Sequence, residues 1–283
     1  MTSLVKRVKQ YTTQLPPEIS KDQYFLIDEA VISKLISVAQ VTVQDRILEV
    51  GPGLGFITEE LAKKAKEVIA IEIDKRFKPF LEKLPSNVEV IFGDAYKALN
   101  NKQFLTSTKP PTKTISSMPY SQAQNMLHNY TGDEWYKGNL SWIAPLSLVN
   151  KINKEPILSA YFEAELIERV PKNAFYPQPN TSSAIIHIKK VENPLKTGSF
   201  DIYFRRWLYK HEEWKVKNAL REGIINSARE LKGVTVTKNQ ARGLIAQLGL
   251  SENELEKLTN NIRPNYYFQI PKDLLSWFNQ LKS

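Results

Sequence analysis

The 283-residue chain reads as an α/β protein: a mostly parallel sheet with helices on both faces and an antiparallel edge, followed by a small all-helical C-terminal domain. Three observations predict this. From residue 28 to about 156, short apolar runs alternate with helical patterns, the signature of parallel strands joined by crossover helices. Between 157 and 192 two strand-like runs follow one another with no helix between them, as an antiparallel edge requires. From about 193 onward the apolar residues recur at helical spacing alone.

The elements follow in order. Residues 1–22 are polar, carry Pro16 and Pro17, and read as a mobile or loosely docked arm. Asp28 caps an amphipathic helix to Gln40, with Val31, Ile32, Leu35 and Ile36 on one face. Strands are predicted over 46–50, 67–74, 87–92, 113–117 and 140–144. Ile157–Ile167 and Ser183–Val191 supply the edge strands, joined by the proline-rich loop from Pro171 to Pro179. Asn193 to Gly198 is the best domain boundary. Beyond it helices are predicted over 200–210 and 213–231, then one capped by Thr237 and stopped at Gly249. Ser251 to Glu254 forms a capping box for the next, and Pro271 opens the last, to Leu281. The expected organisation is an arm over 1–22, a ligand-binding domain over 23–192 and a helical domain over 193–283.

Composition narrows the function classes. The chain has no cysteine, which excludes a disulfide scaffold, a thiol nucleophile and thiolate metal sites. Its three histidines are scattered without metal-ligand spacing. No stretch is long enough to span a membrane and the start does not read as a signal peptide, so the expected location is the cytoplasm, with no membrane partner. The net charge of +9 suits a polyanionic partner such as nucleic acid.

The chemistry centres on Arg46 to Thr58, where an apolar strand runs into Gly51, Gly53 and Gly55 and then into a helical pattern. Strand, glycine turn and helix form the context in which glycines let the backbone touch a ligand. Glu72, ending the next strand about twenty residues on, is placed to accept ribose hydroxyls. Two ligands compete, a dinucleotide and S-adenosyl-L-methionine. A dinucleotide wants glycine where Phe56 stands, and Glu49 before the glycines would repel phosphate. A carboxylate there suits a ligand with an amino group and a sulfonium, and Asp94 can accept from an adenine amino group. These residues favour S-adenosyl-L-methionine. Acceptor residues are expected after the fourth strand, at Ser116 to Tyr120.

At this point the chain resembles the ribosomal RNA small-subunit adenine N6-dimethyltransferases over about residues 20–283. Gln23, Phe25 and Leu26 are similar to that family's entry motif, and Glu49–Thr58 to its cofactor loop. Glu72-Ile73-Asp74 and Gly93-Asp94-Ala95 match its ribose and adenine motifs, and Pro119-Tyr120 the end of its acceptor motif. Ala174 to Pro179 with Ser183-Ala184 resembles a segment specific to it. The resemblance implies a Rossmann-like methyltransferase sheet, S-adenosyl-L-methionine as cofactor, and small-subunit ribosomal RNA or a ribosomal subunit as partner of a monomer. It implies that Gln23, Phe25, Leu26, Glu49, Gly51, Gly53, Gly55, Glu72, Ile73, Asp94, Ala95 and Ser117 bind the cofactor. Ser117 and Pro119 would serve the acceptor site, with Tyr120 and Phe175 sandwiching a flipped adenine. Arg205, Arg206, Lys215, Lys217 and Arg221 would contact RNA.

The chain departs from the pattern in four places, one of them Pro145 to Glu155, which is shorter than the family's helix and loop after the fifth strand. Ser117 stands where the family has asparagine, and Tyr24 where its entry motif has asparagine. His211 to Lys217 carries two carboxylates in a run the family fills with cations. They leave a second expectation open, a diverged member that serves ribosome assembly as an RNA-binding factor without turnover.

Overall fold

The computed structural model describes residues 3–18, 23–101, 109–118, 122–131 and 138–282. It divides into two compact units: Met1–Asn153 with Glu163–Lys190, and Lys154–Phe162 with Val191–Ser283.

The first unit begins with a helix, not a loose arm. α1 (Ser3–Gln14) buries Leu4 and Val8, spaced one turn apart, against the core. β1 (Phe25–Leu26) leads to α2 (Glu29–Val38), where the Asp28 carboxylate accepts from the Ala30 and Val31 amides. Then follow β2 (Arg46–Val50), α3 (Phe56–Ala62), β3 (Glu67–Glu72), α4 (Lys78–Leu81), β4 (Val88–Phe92) and α5 (Ala95–Leu99). β5 (Lys113–Ser117), α6 (Ala123–Thr131), β6 (Asn139–Pro145) and α7 (Ser147–Lys154) complete the crossovers.

Among the described residues the main sheet has seven strands, in the order β4-β3-β2-β5-β6-β9-β7, with β7 at Phe162–Val170 and β9 at Ser183–Lys190. The β2, β3, β4, β5 and β6 neighbours pair in parallel. β9 pairs antiparallel with β6, Trp142 lying opposite Ile186. This is the predicted architecture. β3 carries an apolar run from Val68 to Ile71 and β2 the apolar Ile47, Leu48 and Val50; with Ile115 of β5 these side chains are buried in the middle of the sheet. The chain moves outward from β2 to β4 and then returns to β5, so a crevice opens at the carboxyl ends of β2 and β5.

A second, two-stranded sheet pairs β1 with β8 (Phe175–Tyr176), setting Phe25 opposite Tyr176 and Leu26 opposite Phe175. The entry motif and the Phe-Tyr-Pro segment, 150 residues apart in the chain, are thus neighbours.

Two local expectations change. The strand predicted from Ile157 starts only at Phe162. Residues 158–161 form a helical turn, α8 (Leu158–Tyr161), because the Glu155 side chain accepts from the Leu158 amide at 2.6 Å and starts it. In the second unit α9 (Pro194–Thr197), α10 (Phe200–Lys210), α11 (Val216–Lys232), α12 (Lys238–Ala246) and α13 (Glu252–Glu256) precede α14 (Tyr266–Gln280). Pro271 lies inside α14 and does not open it. Burial of Tyr267, Ile270, Leu274 and Phe278 along one face extends the helix one turn ahead of the proline. The Thr237 and Ser251 capping boxes form as predicted.

Gly55 precedes α3 with φ of +79°, and a Cβ there would come within 3.3 Å of Leu81 and Leu84. Gly55→Ala is expected to destabilise the fold by about 1–2 kcal/mol from the left-handed backbone alone, read as a lower urea midpoint at unchanged slope.

Candidate active site

The crevice at the switch point is a cleft. Its walls come from the segment around β1 (Gln23, Tyr24, Phe25, Leu26), the glycine turn (Gly51 to Leu54, then Phe56 and Ile57), Glu49, Glu72, Ile73, Phe77 and Ser117. Nine of the residues singled out in the sequence therefore meet here: Gln23, Phe25, Leu26, Glu49, Gly51, Gly53, Glu72, Ile73 and Ser117.

The turn is held from β3. The Gly51 amide donates to the Ile71 carbonyl at 2.9 Å, and the Gly53 amide to Glu72 Oε2 at 2.9 Å. The Asp74 amide takes Glu72 Oε1 at 2.8 Å. Burial raises the Glu72 pKa; the Asp74 and Gly53 amides offset that in part, and the Asp74 charge adds to it. Gly53 has φ of +56°, and a Cβ on it would crowd the Phe25 ring at 3.3 Å. The turn and the β1 segment approach that closely only with glycine there.

Glu49 is different. It is 1% exposed, and its Oε2 is buried with no partner in hydrogen-bonding geometry. Burial pushes its pKa up to about 8; the nearby Thr58 hydroxyl lowers it and the Glu72 charge raises it. Glu49 lines the cleft with a buried oxygen that has no partner, and a ligand that brings a cation would favour its ionised form. The glycine turn and the two acids thus fit the methionine end and the ribose of S-adenosyl-L-methionine.

Gln23 is oriented by a network: its Nε2 donates to Asp74 Oδ2 at 2.8 Å and its Oε1 accepts from the Glu18 amide at 2.8 Å. Arg76 pairs with both Asp74 and Glu18 at 2.5 Å. Arg76 chiefly, outweighing burial, holds Asp74 down at about 2. Ser117 ends β5 on the opposite wall.

Other predicted residues do not line the cleft. Gly55 faces Leu81 and Leu84. Asp94 caps α5, accepting from the Tyr96 and Lys97 amides through Oδ1, and Ala95 is the first residue of that helix. Phe175 is 2% exposed, a core residue beside Leu26, because pairing with β1 turns it inward. Its ring is not presented to a base in this conformation. Pro119 and Tyr120 lie outside the described residues. Sequence reasoning did not assign Pro52, Leu54, Phe56, Ile57 and Phe77 to the site. Phe56 and Ile57 were legible as neighbours of the turn; Phe77 carries no local signal.

The cations predicted to meet RNA divide in two. Arg205 is 5% exposed and donates to the Pro156 carbonyl at 2.7 Å and to the Ser159 hydroxyl, while pairing with Asp201. Arg206 donates to the Ala160 and Val191 carbonyls and stacks on Tyr161 at 4.6 Å. Both hold α8 and its flanks to α10, which removes them from the phosphate-facing set. Lys215 is exposed and Lys217 half-buried, both sharing Glu256, and Arg221 pairs with Glu222.

Fold and cleft together define a Rossmann-like methyltransferase. The sequence pattern of the ribosomal RNA adenine dimethylase family matches residues 18–241, and the chain belongs to that family. A relative from Listeria monocytogenes named "Ribosomal RNA small subunit methyltransferase A" is 33% identical over 204 residues, 65% of this chain and 68% of that protein. One from Methanococcus maripaludis, named "Probable ribosomal RNA small subunit methyltransferase A", is 30% identical over 251 residues, 83% and 86% of the two chains. Among solved structures, a dimethyladenosine transferase from Plasmodium falciparum superposes with a TM-score of 0.55 at 18% identity, covering 88% of this chain and 96% of that one. The 23S rRNA methyltransferase ErmE does so with 0.51 at 20%, covering 88% and 99%. At these identities the superpositions speak for the fold. No helix among the described residues is long and apolar enough to cross a membrane.

Two outcomes follow for these residues. With a folded pKa of about 8 against 4.5 unfolded, Glu49 keeps its proton in the free protein where the unfolded chain has lost it. Its favourable share of stability is therefore full below pH 4.5 and is lost as pH rises through 8. Glu49→Gln is expected to flatten that fall relative to wild type in denaturant titrations across this window. In the second unit, Arg205→Ala should cost about 2 kcal/mol by leaving buried acceptors unpaired, whereas Lys215→Ala should stay within about 0.5 kcal/mol, both read by thermal unfolding.

Proposed function

We propose that the chain transfers methyl groups from S-adenosyl-L-methionine to N6 of adenines in small-subunit ribosomal RNA, acting as a cytoplasmic monomer. The observation that carries this reading is the convergence on one cleft of the glycine turn, the acids Glu49 and Glu72, and Ser117 across the switch point. Bound there, the cofactor supplies an electrophilic methyl group, so the protein's task is alignment and exclusion of water more than proton transfer.

Gln23, Phe25, Leu26, Glu49, Gly51, Gly53, Glu72 and Ile73 would hold the cofactor. Glu49 would meet its amino group with the oxygen that has no partner, and Glu72 the ribose hydroxyls with the remaining lone pairs of its two oxygens. Asp94 would serve the adenine from its capping position, with Ala95 beside it. Ile73, 68% exposed at the cleft, offers an apolar face to a flat ring. The Ser117 hydroxyl would accept from N6 of the target base and draw its lone pair toward the methyl group. Pro119 would stiffen that turn, and Tyr120 would stack on the base. Phe175 would join the clamp only after turning out of the core. Lys215, Lys217 and Arg221 remain as phosphate contacts once their carboxylate partners are exchanged. The names carried by the relatives from Listeria and Methanococcus support the small-subunit substrate.

The short Ser117 side chain and the buried Phe175 favour one other reading, an assembly factor that keeps the fold and binds RNA without turnover. Labelled S-adenosyl-L-methionine with immature small subunits separates the two. Label on adenine N6, reduced about 10²-fold by Ser117→Ala through misplacement of the acceptor, is the expected result. Cofactor binding without any incorporated label would leave the assembly-factor reading standing.

A further inference from the structure

The N-terminal helix is joined to the cofactor cleft through one side chain. Arg7 donates from Nη1 to Glu59 Oε2 at 2.8 Å and from Nη2 to Glu59 Oε1 at 2.5 Å, a two-point fork. The same guanidinium lies over the Phe56 ring, 4.8 Å from its centroid. Phe56 and Glu59 are both in the first turn of α3, immediately after the glycine turn, and Phe56 lines the cleft. One side chain of α1 therefore grips a cleft wall by its ring and by the carboxylate one turn along.

The rest of the segment is fixed in step. Leu4 and Val8 are buried on the same face of α1, and Tyr11 packs on Phe80 with ring centroids 4.4 Å apart. Further along, the Glu18 amide and Arg76 bind Gln23, which also lines the cleft. A fork of this kind fixes direction as well as distance, which a lysine in the same place would not.

We infer that α1 is a clasp on the cofactor cleft and that Arg7 is a positioning residue, holding Phe56 and the glycine turn in the conformation that receives the ligand. This rests on the reading of the cleft as the S-adenosyl-L-methionine site. Without the clasp, the turn must order itself at the moment of binding, and that ordering is subtracted from affinity. Arg7 touches no ligand itself; its effect passes through Phe56 and Glu59.

The test is calorimetric titration of the full chain with S-adenosylhomocysteine. Arg7→Ala and Glu59→Gln are each expected to weaken binding about ten-fold by removing pre-organisation. Arg7→Lys should recover only part of the loss. Lys63→Ala, which removes the exposed Lys63–Glu60 pair on the same helix, should bind as wild type does. Hydrogen exchange provides the readout that a purely structural role would not move: the ligand should slow exchange in residues 4–14, outside the cleft, in wild type and not in Arg7→Lys. Wild-type affinity in Arg7→Ala, or a helix whose exchange ignores the ligand, overturns the clasp. If Arg7→Ala does not fold, Arg7→Lys and wild-type exchange decide the matter. A wild-type chain that fails to bind S-adenosylhomocysteine would instead overturn the cofactor reading.

Discussion

The structure of the cleft depends on one hydrogen bond, from the Gly53 amide to the Glu72 carboxylate. The chain leaves β2, reverses through residues with positive φ and enters α3 within a few residues. A turn of that kind is not held by its own side chains, since glycine has none. It is held by β3: Ile71 supplies a carbonyl to Gly51 and Glu72 a carboxylate to Gly53. The Glu72 carbonyl then accepts from Gly93 beyond β4, so the ends of three adjacent strands are tied at the rim of the crevice. Removing a carboxylate from water is unfavourable unless it is hydrogen-bonded, and here two backbone amides provide the compensation.

Burial raises the pKa of both acids of the cleft, but their surroundings give them different partners. Glu72 is satisfied by amides and so works as part of the framework. Glu49, one strand away, has an oxygen with no partner and an elevated pKa. Strongly perturbed groups of this sort collect where ligands bind. The difference arises from position: Glu72 ends its strand beside free amides, whereas Glu49 lies within β2, whose amides are committed to the sheet.

In the second unit charge is used internally. Arg205 and Arg206 supply donors to the Pro156, Ala160 and Val191 carbonyls that α8 and its flanks leave unpaired. Buried carbonyls require such partners, and consecutive arginines on a helix whose inner face meets that segment provide them. A count of basic residues therefore overstates the surface available to a polyanion. Of the cations predicted to meet RNA, Lys215, Lys217 and Arg221 are left, each paired with a carboxylate.

Much of the fold was legible because it rests on local periodicity. The alternation of apolar strands with helices, the caps at Asp28, Thr237 and Ser251, and the glycine turn each need only a few neighbouring residues to be recognised. Where the reading failed, distant partners decided. Residues 3–14 look polar in isolation and become a helix because Glu59, Phe56 and the core receive Arg7, Leu4 and Val8. The run after Ile157 suits strand or helix, and the Glu155 carboxylate selects the helical turn. Of the site, the sequence by itself determined which chemical groups are present: glycines where the backbone must turn, acids at strand ends, a hydroxyl at the end of the fourth strand. Only the tertiary structure decided which of them meet, because sheet order brings Glu49, Glu72 and Ser117 to one crevice, turns Gly55 toward Leu81, and buries Phe175 and Arg205 against elements remote in the chain.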